Sequence, residues 1–156
     1  MKLISELIQN YKNQIKKYYE IEQITKFVHE NDGNAESIIE GLHRSQKIID
    51  KINALDEQRI DIEKKCIEHY NMKRFDIVHL PDEINTDLQV ELIETIEKLR
   101  DVIKIALEYK AKEKTIIRKD LAKAKGKIKE TAKGVNAVHG YKNRSYDSVF
   151  IDKVSK

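Results

Sequence analysis

The feature that most constrains this chain is a stretch of 49 residues, 86–134, that contains no proline. Apolar residues recur along its first half at steps of three and four, the spacing of one face of an α-helix. These residues are Leu88, Leu92, Ile96, Leu99, Ile103 and Leu107. At a rise of about 1.5 Å per residue, the helix would be roughly 70 Å long, which exceeds the width of a small globular domain. We therefore expect a long helix that the rest of the chain covers only in part.

The second half of this predicted helix keeps a thinner apolar row among many lysines. Its members are Ile117, Leu121, Ala124, Ile128 and Ala132. Residues 110–133 include ten basic and three acidic residues, which gives this segment a net charge of +7. We interpret the first half as scaffold and the second half as an overhanging surface.

Two more helices precede the long one. Apolar residues at near-heptad spacing predict a first helix over residues 2–30. The sequence Asn31-Asp32-Gly33-Asn34 then breaks the pattern, because Asp-Gly suits a positive φ and Asn34 is a good N-cap. A second amphipathic pattern predicts a helix over residues 35–70, and so short a loop makes these two helices antiparallel neighbours.

Residues 71–85 form the one irregular connection within the predicted bundle. We expect four apolar residues of this segment to fold over the bundle end. They are Phe75, Ile77, Val78 and Leu80. Thr86 and Gln89 have the spacing of a capping box, so the third helix is predicted over about 86–133. The predicted fold is all-α: an antiparallel, coiled-coil-like three-helix bundle over residues 1–134, with a C-terminal tail at 135–156.

The composition narrows the class of protein. Cys66 is the only cysteine, so no intrachain disulfide forms and a reducing compartment is expected. The first ten residues lack the apolar core of a signal peptide, and no apolar run approaches the ~20 residues that cross a bilayer. We expect a cytoplasmic protein without a membrane span.

No pattern typical of catalysis is present in the sequence. It contains neither G-x-x-x-x-G-K nor G-x-S-x-G, the phosphate-binding loop and the nucleophile elbow. Cys66 and His69 are the only Cys/His pair spaced for one helix face, whereas zinc needs about four ligands. We therefore expect no enzyme, no metal site and no cofactor.

The lysine-rich half of the long helix has three interpretations. It is a solvated helix end, an electrostatic nucleic-acid surface, or an apolar stripe framed by lysines that receives a partner helix. The apolar side chains of Ile117, Leu121 and Ile128 disfavour nucleic acid. The tail has two interpretations: Val149-Phe150-Ile151 docks a partner, or it packs on its own bundle.

Some thirty residues of the chain resemble flagellar export chaperones of the FlgN type and the related FliT type. The similarity covers Asn31-Asp32-Gly33-Asn34, Ile38-Ile39, Arg44-Ser45-Gln46, the run 48–57, and the tail from Tyr141 to Lys153. It implies a cytosolic helical protein that holds hook–filament junction-type subunits before secretion. Such chaperones bind a C-terminal amphipathic helix of the client and then visit the export gate through a C-terminal tyrosine. Tyr141 is the position that matches this tyrosine.

The row Ile117, Leu121, Ala124 and Ile128 is accordingly the predicted client-binding site, with neighbouring lysines meeting an acidic flank of the client helix. Dimerisation through the overhang is left open. The alternative hypothesis is a coiled-coil structural or nucleic-acid-associated protein that uses residues 110–133.

Overall fold

The structure is a computed structural model that describes residues 2–131, with side chains as far as residue 127. The chain forms α1 (Lys2–Glu30), α2 (Ala35–His69) and α3 (Thr86–Thr131), and the described residues contain no strand. The prediction of an all-α three-helix bundle is confirmed. The predicted tail, 135–156, lies outside the described residues.

α1 packs closely against both of the other helices, whereas α2 and α3 approach each other much less closely. Two contacts show that α2 runs antiparallel to α1. Near the start of α1, the Asn10 side chain donates a hydrogen bond of 2.8 Å to the Leu55 carbonyl. Near its end, Val28 lies against the backbone of Gly41.

α3 runs parallel to α1. Lys12 forms an ion pair of 2.8 Å with Glu91, near the start of both helices. Further along, the ammonium of Lys26 lies 5.4 Å from the centre of the Tyr109 ring. The two helices therefore keep nearly constant register over most of α1.

The core follows the inner face of α1. Its most deeply buried apolar side chains are Ile4, Leu7, Tyr18 and Ile21 of α1, Ile49, Ile52 and Cys66 of α2, and Leu92 and Ala106 of α3. Burying a leucine or isoleucine side chain stabilises a fold by about 1.5–3 kcal/mol. Because α1 supplies more of the buried apolar side chains than α2 or α3, it contributes most to the stability of this core. Of the predicted scaffold row, Leu92, Ile96 and Leu99 are buried. Leu88, Ile103 and Leu107 are only half-buried.

The turn between α1 and α2 has the predicted chemistry. Gly33 adopts φ +88°, a left-handed conformation that glycine reaches without strain. The side-chain oxygen of Asn34 accepts a hydrogen bond of 3.1 Å from the Ser37 N–H, which caps α2.

The connection from α2 to α3 covers the end of the bundle, as expected, with one exception. Phe75, Ile77 and Leu80 pack against the core, but Val78 is 78% exposed, so its predicted burial is wrong. The Val78 N–H donates to the Asp76 carboxylate at 2.9 Å, a local turn that directs Val78 outward. Hydrogen bonds from the His79 ring and from this N–H lower the pKa of Asp76.

The capping box predicted at Thr86 and Gln89 is wrong, because the cap lies one residue earlier. Asn85 accepts a hydrogen bond of 2.8 Å from the Asp87 N–H through its side-chain oxygen. The Gln89 side chain instead donates to the Ile84 carbonyl, also at 2.8 Å. Asparagine is a stronger N-cap than threonine, which explains the shift.

Gly41→Ala should destabilise the bundle although alanine favours helices. An added Cβ would overlap Cγ2 of buried Val28, whose branched side chain has little rotamer freedom. We expect the free energy of unfolding to fall by about 1–3 kcal/mol in urea titrations. Gly126→Ala is the control: nothing lies within 4 Å of its added Cβ, so a gain of up to about 1 kcal/mol is expected. Equal effects at both sites would contradict the close approach of α1 and α2.

Candidate functional site

The end of α1 at Glu30 leaves α2 and α3 facing each other without a third helix. The last apolar cluster that includes α1 joins buried Val28, Ile38 and Ile116. Beyond it, α3 continues to Thr131 and α2 begins only at Ala35. Leu42 and Ile117 still pack against this cluster, whereas the apolar residues of α3 beyond it have no segment of α1 beside them.

A concavity of about 130 Å³ lies between the two helices at this end, and we call it the end groove. It is lined by Ala35, Ile38, Ile39 and Leu42 of α2 and by Ile117, Asp120, Leu121 and Ala124 of α3. Asp120 is the only one of these with a polar side chain. The lining residues recur at steps of three and four on both helices, so each helix turns one continuous face to the groove.

The structure brings together three of the four predicted client-binding residues. Ile117 and Leu121 are half-buried in the groove wall, and Ala124 is exposed at its rim. Residue 128 lies within α3, but the Ile128 side chain is outside the described residues, as is the whole of Tyr141.

Sequence reasoning missed the α2 wall of the end groove. The available signal was the doublet Ile38-Ile39. Ile38 is buried beside α1, whereas Ile39 points one step around the helix and lines the groove. Two adjacent apolar residues cover more of the helix circumference than one packing interface needs. They therefore indicate a second packing surface on α2.

The expectation that α3 overhangs from residue 110 is wrong. The Lys110 side chain is only 8% exposed, and Glu113 only 1%. The Lys110 ammonium lies 3.0 Å from Glu113 Oε1 and 3.3 Å from the Ser45 hydroxyl. Ile116 is buried as well, and continuous exposure begins only at residue 122. The first turns of the basic segment therefore belong to the bundle.

Glu113→Leu should be strongly destabilising, because it removes the carboxylate that faces a buried ammonium. We expect a loss of about 3–5 kcal/mol in unfolding free energy, measured by urea titration. Adding Lys110→Met should recover most of this loss, since apolar pairs often replace buried ion pairs at little cost. Glu108→Leu, at an exposed site on the same helix, is the control. A small effect of Glu113→Leu would mean that Lys110 reaches solvent.

The two walls of the end groove carry different charges. On α3, three cations stand seven and three residues before Leu121 and four after it, so they share its side of the helix. They are Lys114, Arg118 and Lys125. On α2, the corresponding neighbours of Ile39 are Glu36, three residues before it, and His43, four after it; both are exposed.

The α1–α2 turn closes one side of the groove. The Gly33 N–H donates a hydrogen bond of 3.3 Å to Asp120 Oδ2, and Lys119 lies 3.6 Å from Asp32. These contacts tie α3 to the turn and hold Asp120 at the groove wall. Asp120 Oδ1 is buried and has no hydrogen-bond partner among residues 2–131.

Cys66 and His69 lie in different environments, one buried and the other exposed. The Cys66 thiol is buried in the core, and burial raises its pKa to about 11. His69 is exposed, and its ring meets the Tyr70 ring edge-on, with 4.7 Å between the two ring centres. Within the described part of the chain, no three His, Cys, Asp or Glu side chains are grouped to hold a metal ion.

No protein family, curated protein or solved structure matches this chain. Over residues 2–131, no helix combines the length and the apolar character needed to cross a membrane.

Proposed function

We propose that the protein is a non-enzymatic, cytoplasmic chaperone of flagellar type III export. It holds a hook–filament junction-type subunit by an amphipathic C-terminal helix and delivers it to the export apparatus. The observation that carries this proposal is the end groove, an apolar concavity between two helices whose third neighbour stops short.

A helix fits this groove better than an extended segment does. Both walls are helical faces with apolar residues at steps of three and four, and a third such face packs between them at the usual spacing of 8–10 Å. Recognition of this kind places the i, i+3, i+4 and i+7 residues of an amphipathic helix in a groove. The occupant would lie across both walls and extend the bundle along α3.

The cations beside Leu121 on the α3 wall favour amphipathic helices that carry an acidic flank. Arg118 and Lys125 are exposed beside Leu121, and a helix with an acidic flank would place carboxylates opposite them. Such complementary charges at a rim mainly raise the association rate and exclude wrong partners. The apolar residues on the groove floor would supply most of the affinity.

The sequence resemblance to FlgN- and FliT-type chaperones supports the class of client and the route of delivery. Docking at the export gate through Tyr141 rests on that resemblance alone. A groove that binds one helix and leaves the rest of the client free suits a carrier that must later release its cargo.

Leu121→Asp should abolish client capture without unfolding the protein, because a carboxylate would replace an apolar side chain in the groove wall. The ligand is the C-terminal helix of a hook–filament junction protein from the same genome, titrated by calorimetry. We expect affinity to fall by at least about tenfold, or 1.4 kcal/mol. Ile39→Asp should act in the same way from the α2 wall. Ile105→Asp, on α3 at a side chain already 41% exposed, is the matched control.

Undiminished binding by both groove variants would contradict the proposal. Loss of the melting transition in Leu121→Asp would show that Leu121 belongs to the core. A nucleic-acid-associated protein would instead bind DNA or RNA with an affinity that falls steeply as salt rises.

A further inference from the structure

We infer that the end groove fixes the direction in which a partner helix lies, because its two walls differ in charge. The inference rests on the proposed function, since it assumes that the groove receives a helix. The occupant is an amphipathic helix of a partner protein that is acidic along one flank of its apolar stripe and basic or neutral along the other.

The α3 wall carries three cations beside Leu121, while the carboxylate of Asp120 on the same wall accepts a hydrogen bond from the Gly33 N–H. Lys114, Arg118 and Lys125 all lie on the Leu121 side of α3 at helical spacing. Arg118 and Lys125 are exposed, and Lys114 is half-buried. No acidic residue occupies the same positions relative to Leu121. A flank of the occupant that faces these three cations is therefore best acidic or neutral.

The α2 wall has the opposite tendency. Glu36 and His43 bracket Ile39 on the helix surface, and Gln46 follows one turn after His43. No Lys or Arg stands at these positions. A flank facing α2 is therefore best basic or neutral.

Unequal walls select a direction through simple geometry. A docked helix keeps its apolar stripe on the groove floor, so one flank faces α2 and the other faces α3. Turning the helix end for end on that floor exchanges the two flanks. A helix with different charges on its flanks is then complementary in one direction and repulsive in the other. Single exposed ion pairs contribute little, so the selection depends on whole rows of charges.

The same charges disfavour a second copy of this chain as the occupant. The segment of α3 that would enter the groove belongs to residues 110–133, whose net charge is +7. Either of its flanks would bring lysines against the basic α3 wall. A partner with an acidic flank avoids this repulsion.

Two designed peptides of identical composition test the inference. Each has three heptads with leucine at a and d; one carries Glu at g and Lys at e, and the other has these exchanged. Each also carries an N-terminal tryptophan as energy donor, which is selective because the protein has none. The protein carries an acceptor dye on a cysteine introduced by Gln46→Cys or Lys127→Cys, at opposite ends of the groove, while Cys66 is buried.

We expect both peptides to bind, with energy transfer mainly to residue 46 for one and to residue 127 for the other. Transfer to the same end for both peptides, or equal transfer to both ends, would overturn the inference and leave the proposed function standing. Absence of binding by both peptides would overturn the groove as a helix site, and the inference with it.

Reversing the walls provides the control on the protein side. The triple variant Arg118→Glu, Lys125→Glu and Glu36→Lys should exchange the preferred ends of the two peptides. The variant Lys98→Glu, Lys104→Glu and Glu97→Lys changes the net charge equally at exposed sites of α3 outside the groove, and should leave the directions unchanged. Unchanged directions in the first variant, with an unchanged melting temperature, would refute the inference.

Discussion

The packing of α1 between α2 and α3 is the constraint on which the rest of the structure depends. α1 supplies many of the most deeply buried apolar side chains, and it is the only helix in close contact with both others. The two outer helices are therefore held together mainly through α1. Where α1 ends, at Glu30, that cover ends too, and α2 and α3 are left with apolar faces toward each other. The end groove is thus a direct consequence of unequal helix lengths.

Buried polar groups fix the register that aligns the two groove walls. Asn10 donates to the Leu55 carbonyl and accepts from the Gln14 amide at 2.9 Å, so this pair is satisfied inside the core. At the other end, Lys110 joins Glu113 of its own helix to Ser45 of α2. A slip between helices would break the contacts of Asn10 with Leu55 and of Lys110 with Ser45, and a buried polar group left without a partner costs roughly 1–3 kcal/mol. Residues 117–124 of α3 are consequently held opposite residues 35–42 of α2.

Much of this architecture follows from periodicity in the sequence, but the assignment of faces does not. Apolar spacing predicted three helices and the row Ile117, Leu121, Ala124 and Ile128, because a helix presents such residues on one side whatever it packs against. The structure places the first three of these at the groove. It could not reveal that Lys110 is buried, since an ammonium is hidden only when a specific partner such as Glu113 neutralises it. The α2 wall was missed for a related reason. The spacing of apolar residues within α2 does not show where a neighbouring helix ends and leaves them uncovered. The burial predicted for Val78 was wrong because the hydrogen bond between its N–H and Asp76 fixes the local backbone, and this conformation directs the side chain to solvent.

Hydrogen exchange of backbone amides can show whether a partner helix binds where α1 stops. The exchange is followed in the free protein and with a saturating amphipathic helical peptide that carries one acidic flank. We expect slower exchange on binding in residues 35–46 of α2 and 114–131 of α3, with little change in residues 86–105. Slower exchange along the outer surface of α1 instead, with no change in residues 35–46 and 114–131, would contradict this expectation.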